Sequence, residues 1–139
     1  DPQALSEEKE AEFRRRLPRP YPATPGVADL LARAKAEGWK RAVVTNAPRL
    51  NAHAMLEAIG LDAYFDVIVI GEECPRGKPD PYPYQEAMRQ LGVTPNRAIA
   101  FEDSPSGTRS ARSSGAFTVG IRSSPERSCA SAGRRTADH

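Results

Sequence analysis

Five residues at three points of the chain combine into one chemistry. Thr45 and Asn46 offer a hydroxyl and a carboxamide, Lys78 an ammonium, and Glu102 and Asp103 two adjacent carboxylates. A hydroxyl and an amide ahead of a helix N-terminus suit the oxygens of a phosphate dianion. A lysine is a mobile point charge that can neutralise the same group, and paired hard carboxylate oxygens suit Mg²⁺. Phosphate, lysine and magnesium form a minimal set for phosphoryl transfer, which depends on positioning and charge neutralisation. Each piece alone also has an ordinary role: a strand-end Thr-Asn turns the chain, a loop lysine is solvated, and Glu-Asp ahead of Ser104-Pro105 caps a helix. Their order is what makes them specific. Lys78 follows Thr45 by 33 residues and Asp103 follows Lys78 by 25, each at the end of an apolar run or in the loop after one.

Those apolar runs are the elements that must position the five. Ala42-Val43-Val44, Val67-Ile68-Val69-Ile70, Ala98-Ile99-Ala100-Phe101 and Phe117–Ile121 read as buried strands, continuous and not alternating. Between them the periodicity predicts helices over about Pro48–Ile59, Pro83–Leu91 and Ser106–Ser114, with Gly60, Gly92 and Gly115 as terminators. An earlier helix runs from Thr24, its N-cap, through Pro25 at the first helical position to Gly38, burying Val27, Leu30, Leu31 and Ala34 on one face. Continuous strands separated by helices predict a parallel sheet covered on both faces, an α/β, Rossmann-like doubly wound fold. In such sheets ligands bind beyond the carboxyl ends of the strands, where all five residues fall.

The flanks differ. Leu5–Leu17 reads as a helix capped by Ser6, acidic at its start and ending on Arg14, Arg15 and Arg16, and Pro18, Pro20, Pro22 and Pro25 then enforce an extended connector. The chain divides into a segment 1–20, a core 21–121 and a tail 122–139 poor in large apolar residues and weakly structured. At 139 residues there is room for one domain, and 39% hydrophobic with 27% charged residues suits a globular fold. A net charge of +2 gives no argument for nucleic acid, and no apolar run is long enough to cross a bilayer. Cys74 and Cys129 lack metal or disulfide spacing and read as reduced thiols.

The motifs resemble those of the haloacid dehalogenase superfamily. Val43-Val44-Thr45-Asn46 is similar to its second motif, Gly77-Lys78-Pro79-Asp80-Pro81 to its third, and Phe101-Glu102-Asp103-Ser104-Pro105-Ser106-Gly107 to its fourth. Thr45-Asn46-Ala47-Pro48-Arg49 and Gly71-Glu72-Glu73-Cys74 most resemble plant-type sugar-phosphate phosphatases, with the β-phosphoglucomutase-like subgroup close by. The resemblance implies that Thr45, Asn46 and Lys78 bind the phosphoryl group, that Lys78 also serves catalysis, and that Asp103 with Glu102 holds Mg²⁺. Ser104 and Gly107 would shape that turn and Arg49 would reach the substrate, while Asp80 and Tyr82 belong to loop structure.

The family's first motif, an Asp-x-Asp whose first aspartate forms an aspartyl-phosphate, occurs nowhere in this sequence. The expectation is therefore a family core lacking its first strand and most of its helical cap, the remnant being 1–20. The chain would be a portion of a longer protein that opens here on Asp1-Pro2, inactive as it stands. Unpaired strand edges and exposed apolar faces should follow, covered by the missing N-terminal segment or by another chain. The substrate would be a small phosphorylated metabolite. A phosphomutase, or a non-catalytic module keeping the fold for binding or assembly, are the alternatives. The compartment stays open between cytoplasm and an organelle interior.

Overall fold

Apolar runs of four residues become the strands, and helices return the chain between them. The computed structural model describes residues 1–23 and 25–121. In order they form α1 (Pro2–Arg16), α2 (Val27–Ala36), β1 (Ala42–Thr45), α3 (Arg49–Ile59), β2 (Val67–Ile70), α4 (Tyr82–Leu91), β3 (Ile99–Glu102), α5 (Pro105–Ser113) and β4 (Phe117–Gly120). The Thr24 cap, Cys129 and the tail 122–139 lie outside the described residues.

All pairings are parallel, as continuous apolar strands predict. Thr45 lies opposite Ile70 in the β1–β2 ladder, and Glu102 opposite Gly120 in the β3–β4 ladder. Where one sheet was expected, however, the described residues form two, each of two strands, with no ladder joining β1 to β3. Helix α4 packs on β1 and β2, α5 on β3 and β4, and the two helices pack on each other. Tyr84 and Met88 of α4, Ala100 of β3, Ala111 of α5 and Ala116 form the main core, and Val44 of β1 packs against it. The two sheets thus share one hydrophobic cluster without sharing a hydrogen-bonded ladder.

Coverage on both faces is not reached for β3–β4. Ala100 and Glu102 point into the core, whereas Ile99, Phe101 and Phe117 are 49%, 45% and 69% exposed. Successive strand residues face opposite ways, and among the described residues α4 and α5 cover one face only. The apolar run is real, but half of it has no partner layer. The sequence predicts exposed apolar strand faces, and β3–β4 has one among the described residues.

The helix stops follow local stereochemistry. Gly60 (φ 75°) and Gly92 (φ 70°) end α3 and α4 in the left-handed region. The next amides, Leu61 and Val93, reach back to Leu56 O and Met88 O at 3.0 Å each, which closes the helix ends at little steric cost to glycine. The helix starts depart from expectation. Asp1 caps α1 by accepting from Gln3 N at 3.2 Å, so the helix begins three residues before Leu5 and Ser6 lies inside it. Helix α2 starts at Val27 behind Gly26 (φ 86°), so Pro25 sits in a turn and not at the first helical position. Of its expected apolar stripe only Leu31 is buried, and Leu30 is 45% exposed.

Helix α1 buries nothing itself, yet it is tethered. Arg14 Nη1 donates to Asn51 Oδ1 at 2.6 Å, Leu17 packs with Ala54 and Ala58 of α3, and Tyr21 N donates to Ala58 O at 2.7 Å. No helix among the described residues is long and apolar enough to cross a membrane.

Candidate functional site

The carboxyl ends of β1 and β3 flank a cavity of about 350 Å³ lined by Val44, Thr45, Lys78, Phe101, Glu102 and Asp103. Four of the six expected site residues therefore meet, although 58 positions separate the first from the last. Thr45 arrives as the last residue of β1. Its Oγ1 accepts from Ala47 N at 3.0 Å and so builds the turn into α3, while the hydroxyl proton stays available to a ligand oxygen.

Lys78 is the joint of the site. Its side chain is 9% exposed, and Nζ donates to Val44 O at 2.9 Å and to Glu102 Oε2 at 2.6 Å. One bond ends on β1 and the other on β3, so a loop lysine ties together two sheets that no ladder joins. The solvated lysine of the ordinary reading is not what the fold makes.

The two carboxylates diverge. Glu102 ends β3 on its buried face and is 7% exposed. Its Oε2 also accepts the phenolic O–H of Tyr84, and burial pushes the Tyr84 phenol well above its ordinary range, the Glu102 carboxylate adding to the shift. The phenol therefore remains a donor. Asp103, one residue on, is exposed and has no hydrogen-bond partner among the described residues. It lines this cavity and a broader one of about 670 Å³ that runs along α5 past Thr108, Arg109 and Arg112.

The donor set fits Mg²⁺ in one specific way. No group of three or more His, Cys, Asp or Glu among the described residues could hold an ion unaided. Magnesium is commonly bound through one or two carboxylates, with water and substrate phosphate completing the shell. Asp103 suits that arrangement directly, and Glu102 can add only Oε1, since Oε2 already accepts from Lys78 and Tyr84.

Two glycines explain how close these groups come. A Cβ on Gly107 would lie 2.0 Å from Glu102 Oε1, and one on Gly71 would lie 2.1 Å from Asn46 Oδ1. Gly107 follows Ser104, whose side chain caps α5 by accepting from Gly107 N at 3.1 Å. Asn46 is exposed, is absent from the cavity lining, and sets its carboxamide oxygen against Gly71 and Gly77. It wedges the loop that carries Lys78. Gly71→Ala is expected to destabilise the chain by about 1–2 kcal/mol through this overlap. Because the Asn46 side chain can swing into solvent, the Asn46→Ala/Gly71→Ala pair should recover most of the loss in urea unfolding.

Arg49 is not brought to the cavity. From the first turn of α3 its Nε and Nη2 grip Glu73 at 2.8 and 2.7 Å, which holds the Glu73 carboxyl below its usual range. Asp80 serves the loop, accepting from Tyr82 N at 2.9 Å and from Arg76 Nε at 3.0 Å, and Ser110, fully buried, donates to Asp80 O at 2.6 Å. Cys74 is a free thiol, raised by burial and by Glu86 and Glu73. Sequence reasoning missed Tyr84, the Val44 carbonyl and the cradle roles of Gly71 and Gly107. For Gly107 a signal existed, since the motif that ends β3 at Glu102 opens α5 through Ser104 and Gly107, five residues on.

A family model described as haloacid dehalogenase-like hydrolase matches residues 3–115. A phosphorylated carbohydrates phosphatase of Thermotoga maritima is 40% identical over 91 residues, 66% of this chain and 42% of that protein. Among solved structures, CbbY of Rhodobacter sphaeroides in complex with xylulose-1,5-bisphosphate superposes with a TM-score of 0.82 at 33% identity, over 88% of this chain and 56% of that one. A β-phosphoglucomutase-like protein of Thermotoga maritima gives 0.73 at 35% identity, covering 88% and 55%. The chain thus spans less than half the length of that phosphatase and little more than half of those two structures.

Proposed function

The chain belongs to the haloacid dehalogenase-like hydrolase family, and we propose that it is the C-terminal portion of a Mg²⁺-dependent phosphatase of small phosphorylated metabolites, sugar phosphates foremost. The observation that carries this reading is the convergence of Thr45, Lys78 and Asp103 on one cavity. Thr45 donates its hydroxyl to a phosphoryl oxygen. The Lys78 ammonium neutralises the phosphoryl group and steadies the attacking carboxylate. Asp103, with Glu102 beside it, would hold Mg²⁺, which would supply charge stabilisation to the phosphoryl group. Asn46 contributes by placing the Lys78 loop and Arg49 by reaching a distal part of the substrate, which requires it to leave Glu73. The segment 1–20 is retained as a remnant of a cap.

The nucleophile is an aspartate on a strand outside this sequence, seated between β1 and β3. One of its carboxylate oxygens bonds phosphorus as the ester P–O bond breaks, while the second carboxyl of the same Asp-x-Asp, also outside this sequence, gives the leaving alcohol its proton and regains one from the water of the next step. Water then cleaves the aspartyl-phosphate to inorganic phosphate and free carboxylate. The absence of any Asp-x-Asp here and the unjoined edges of β1 and β3 support this.

The test is hydrolysis of p-nitrophenyl phosphate with Mg²⁺. The 139-residue chain should be inert, and the chain extended by a strand bearing Asp-x-Asp should turn over. In the extended protein Lys78→Ala or Asp103→Asn should each lower kcat by about 10²–10³. Turnover by the bare chain that Asp103→Ala abolishes would place the nucleophile within these residues and overturn the reading. An extended protein that folds, binds phosphate and never turns over would favour a binding module. Phosphoryl transfer between sugar positions in place of release to water would mark a phosphomutase, which the fold of the β-phosphoglucomutase-like neighbour accommodates.

A further inference from the structure

We propose that Tyr84 is the positioning residue of the Lys78–Glu102 pair, its phenol locking Glu102 Oε2 and its ring backing the Lys78 ammonium. The inference deepens the phosphatase reading and rests on it for the role of Lys78. Three observations on one buried side chain support it. Tyr84 is 9% exposed and belongs to the core cluster on α4, so its ring has no freedom to turn away. Its O–H donates to the same Glu102 oxygen that receives Lys78 Nζ. The Lys78 Nζ also stands 5.5 Å from the Tyr84 ring centroid, within cation–π range.

The geometry gives the phenol a specific task. A carboxylate has several lone-pair directions, and a lone ammonium would leave Glu102 free to pivot about its side-chain torsions. A second donor fixed by a rigid ring removes that freedom. Gly107 closes the opposite side, since its missing Cβ leaves room only for the carboxylate as it stands. With Glu102 immobile and Val44 O supplied by backbone, Lys78 has one place to be. A phenylalanine would fill the same core volume and lose only this function.

Tyr84→Phe separates the two. Brief acylation by dilute acetic anhydride, read by peptide mass spectrometry, reports how often the Lys78 amine leaves its partners. In the unaltered chain Lys78 should label far more slowly than exposed Lys9 and Lys35. In Tyr84→Phe its labelling should rise about tenfold, as expected for loss of a hydrogen bond to a charged group, with Lys9 and Lys35 unchanged. In the extended, active protein the same substitution should lower kcat about tenfold with KM within twofold, a split that core filling alone would not produce. Unchanged Lys78 labelling in Tyr84→Phe overturns the proposal, as does a Lys78 in the unaltered chain that labels like Lys35. Raised labelling together with full activity of Lys78→Ala would uphold the positioning role and refute the phosphatase reading instead.

Discussion

Lys78→Met lowers the unfolding free energy of the chain by about 3–5 kcal/mol, measured by urea denaturation. The substitution keeps the length and apolar character of the side chain and removes only the ammonium. What remains is Glu102, 7% exposed, with a carboxylate that no other cation approaches among the described residues. A surface ion pair would be worth a fraction of this. Arg49–Glu73, about half exposed on both sides, is the internal contrast, and Arg49→Ala should barely move the midpoint. The Lys78 loss has a second part, because Nζ also donates to Val44 O and so ties the lysine directly to β1. A Lys78→Met/Glu102→Gln double substitution removes the stranded charge and should return more than half of the loss. A single-mutant effect under about 1 kcal/mol would show that water reaches the pair freely.

Gly107→Ala is the second large effect and comes from the other side of the same carboxylate. The added methyl would lie 2.0 Å from Glu102 Oε1, 2.3 Å from its Cδ and 2.7 Å from Oε2. Unlike Asn46 beside Gly71, Glu102 cannot swing out, because Lys78 and Tyr84 hold it in the core. Either α5 shifts as a body or the buried pair breaks, and both routes cost about 3 kcal/mol or more. The helix itself gains from alanine by up to about 1 kcal/mol, so a substitution that propensity favours should still destabilise. Urea unfolding of Gly107→Ala beside Gly71→Ala checks the ranking. Equal, small losses in both would mean that Glu102 is not pinned.

The strands and the order of the site were legible because both rest on local signals. Val67–Ile70 coincides with β2 and the glycines at 60 and 92 end their helices, since a left-handed residue needs glycine wherever the helix sits. Convergence of Thr45, Lys78 and Asp103 followed from strand ends lying along one edge. What could not be read depends on partners distant in sequence. Leu30 continues an apolar stripe yet is exposed, because periodicity shows which face wants cover and not whether cover exists. The Tyr84–Glu102 bond spans 18 residues and two elements, and nothing local distinguishes that tyrosine from core filling. Glu102 and Asp103 look alike on paper, and only their burial separates them.

That separation has a consequence for how the acidic pair tolerates change. The two carboxyls differ because Glu102 closes β3 on its buried face while Asp103 opens the exposed turn that follows. Reversing them to Asp-Glu keeps composition and charge, yet it sends the shorter arm toward an anchor it would fall short of and the longer one into open water. A single-residue deletion within Ile99–Phe101 would act by phase alone, sending each strand residue on the far side of the gap to the opposite face.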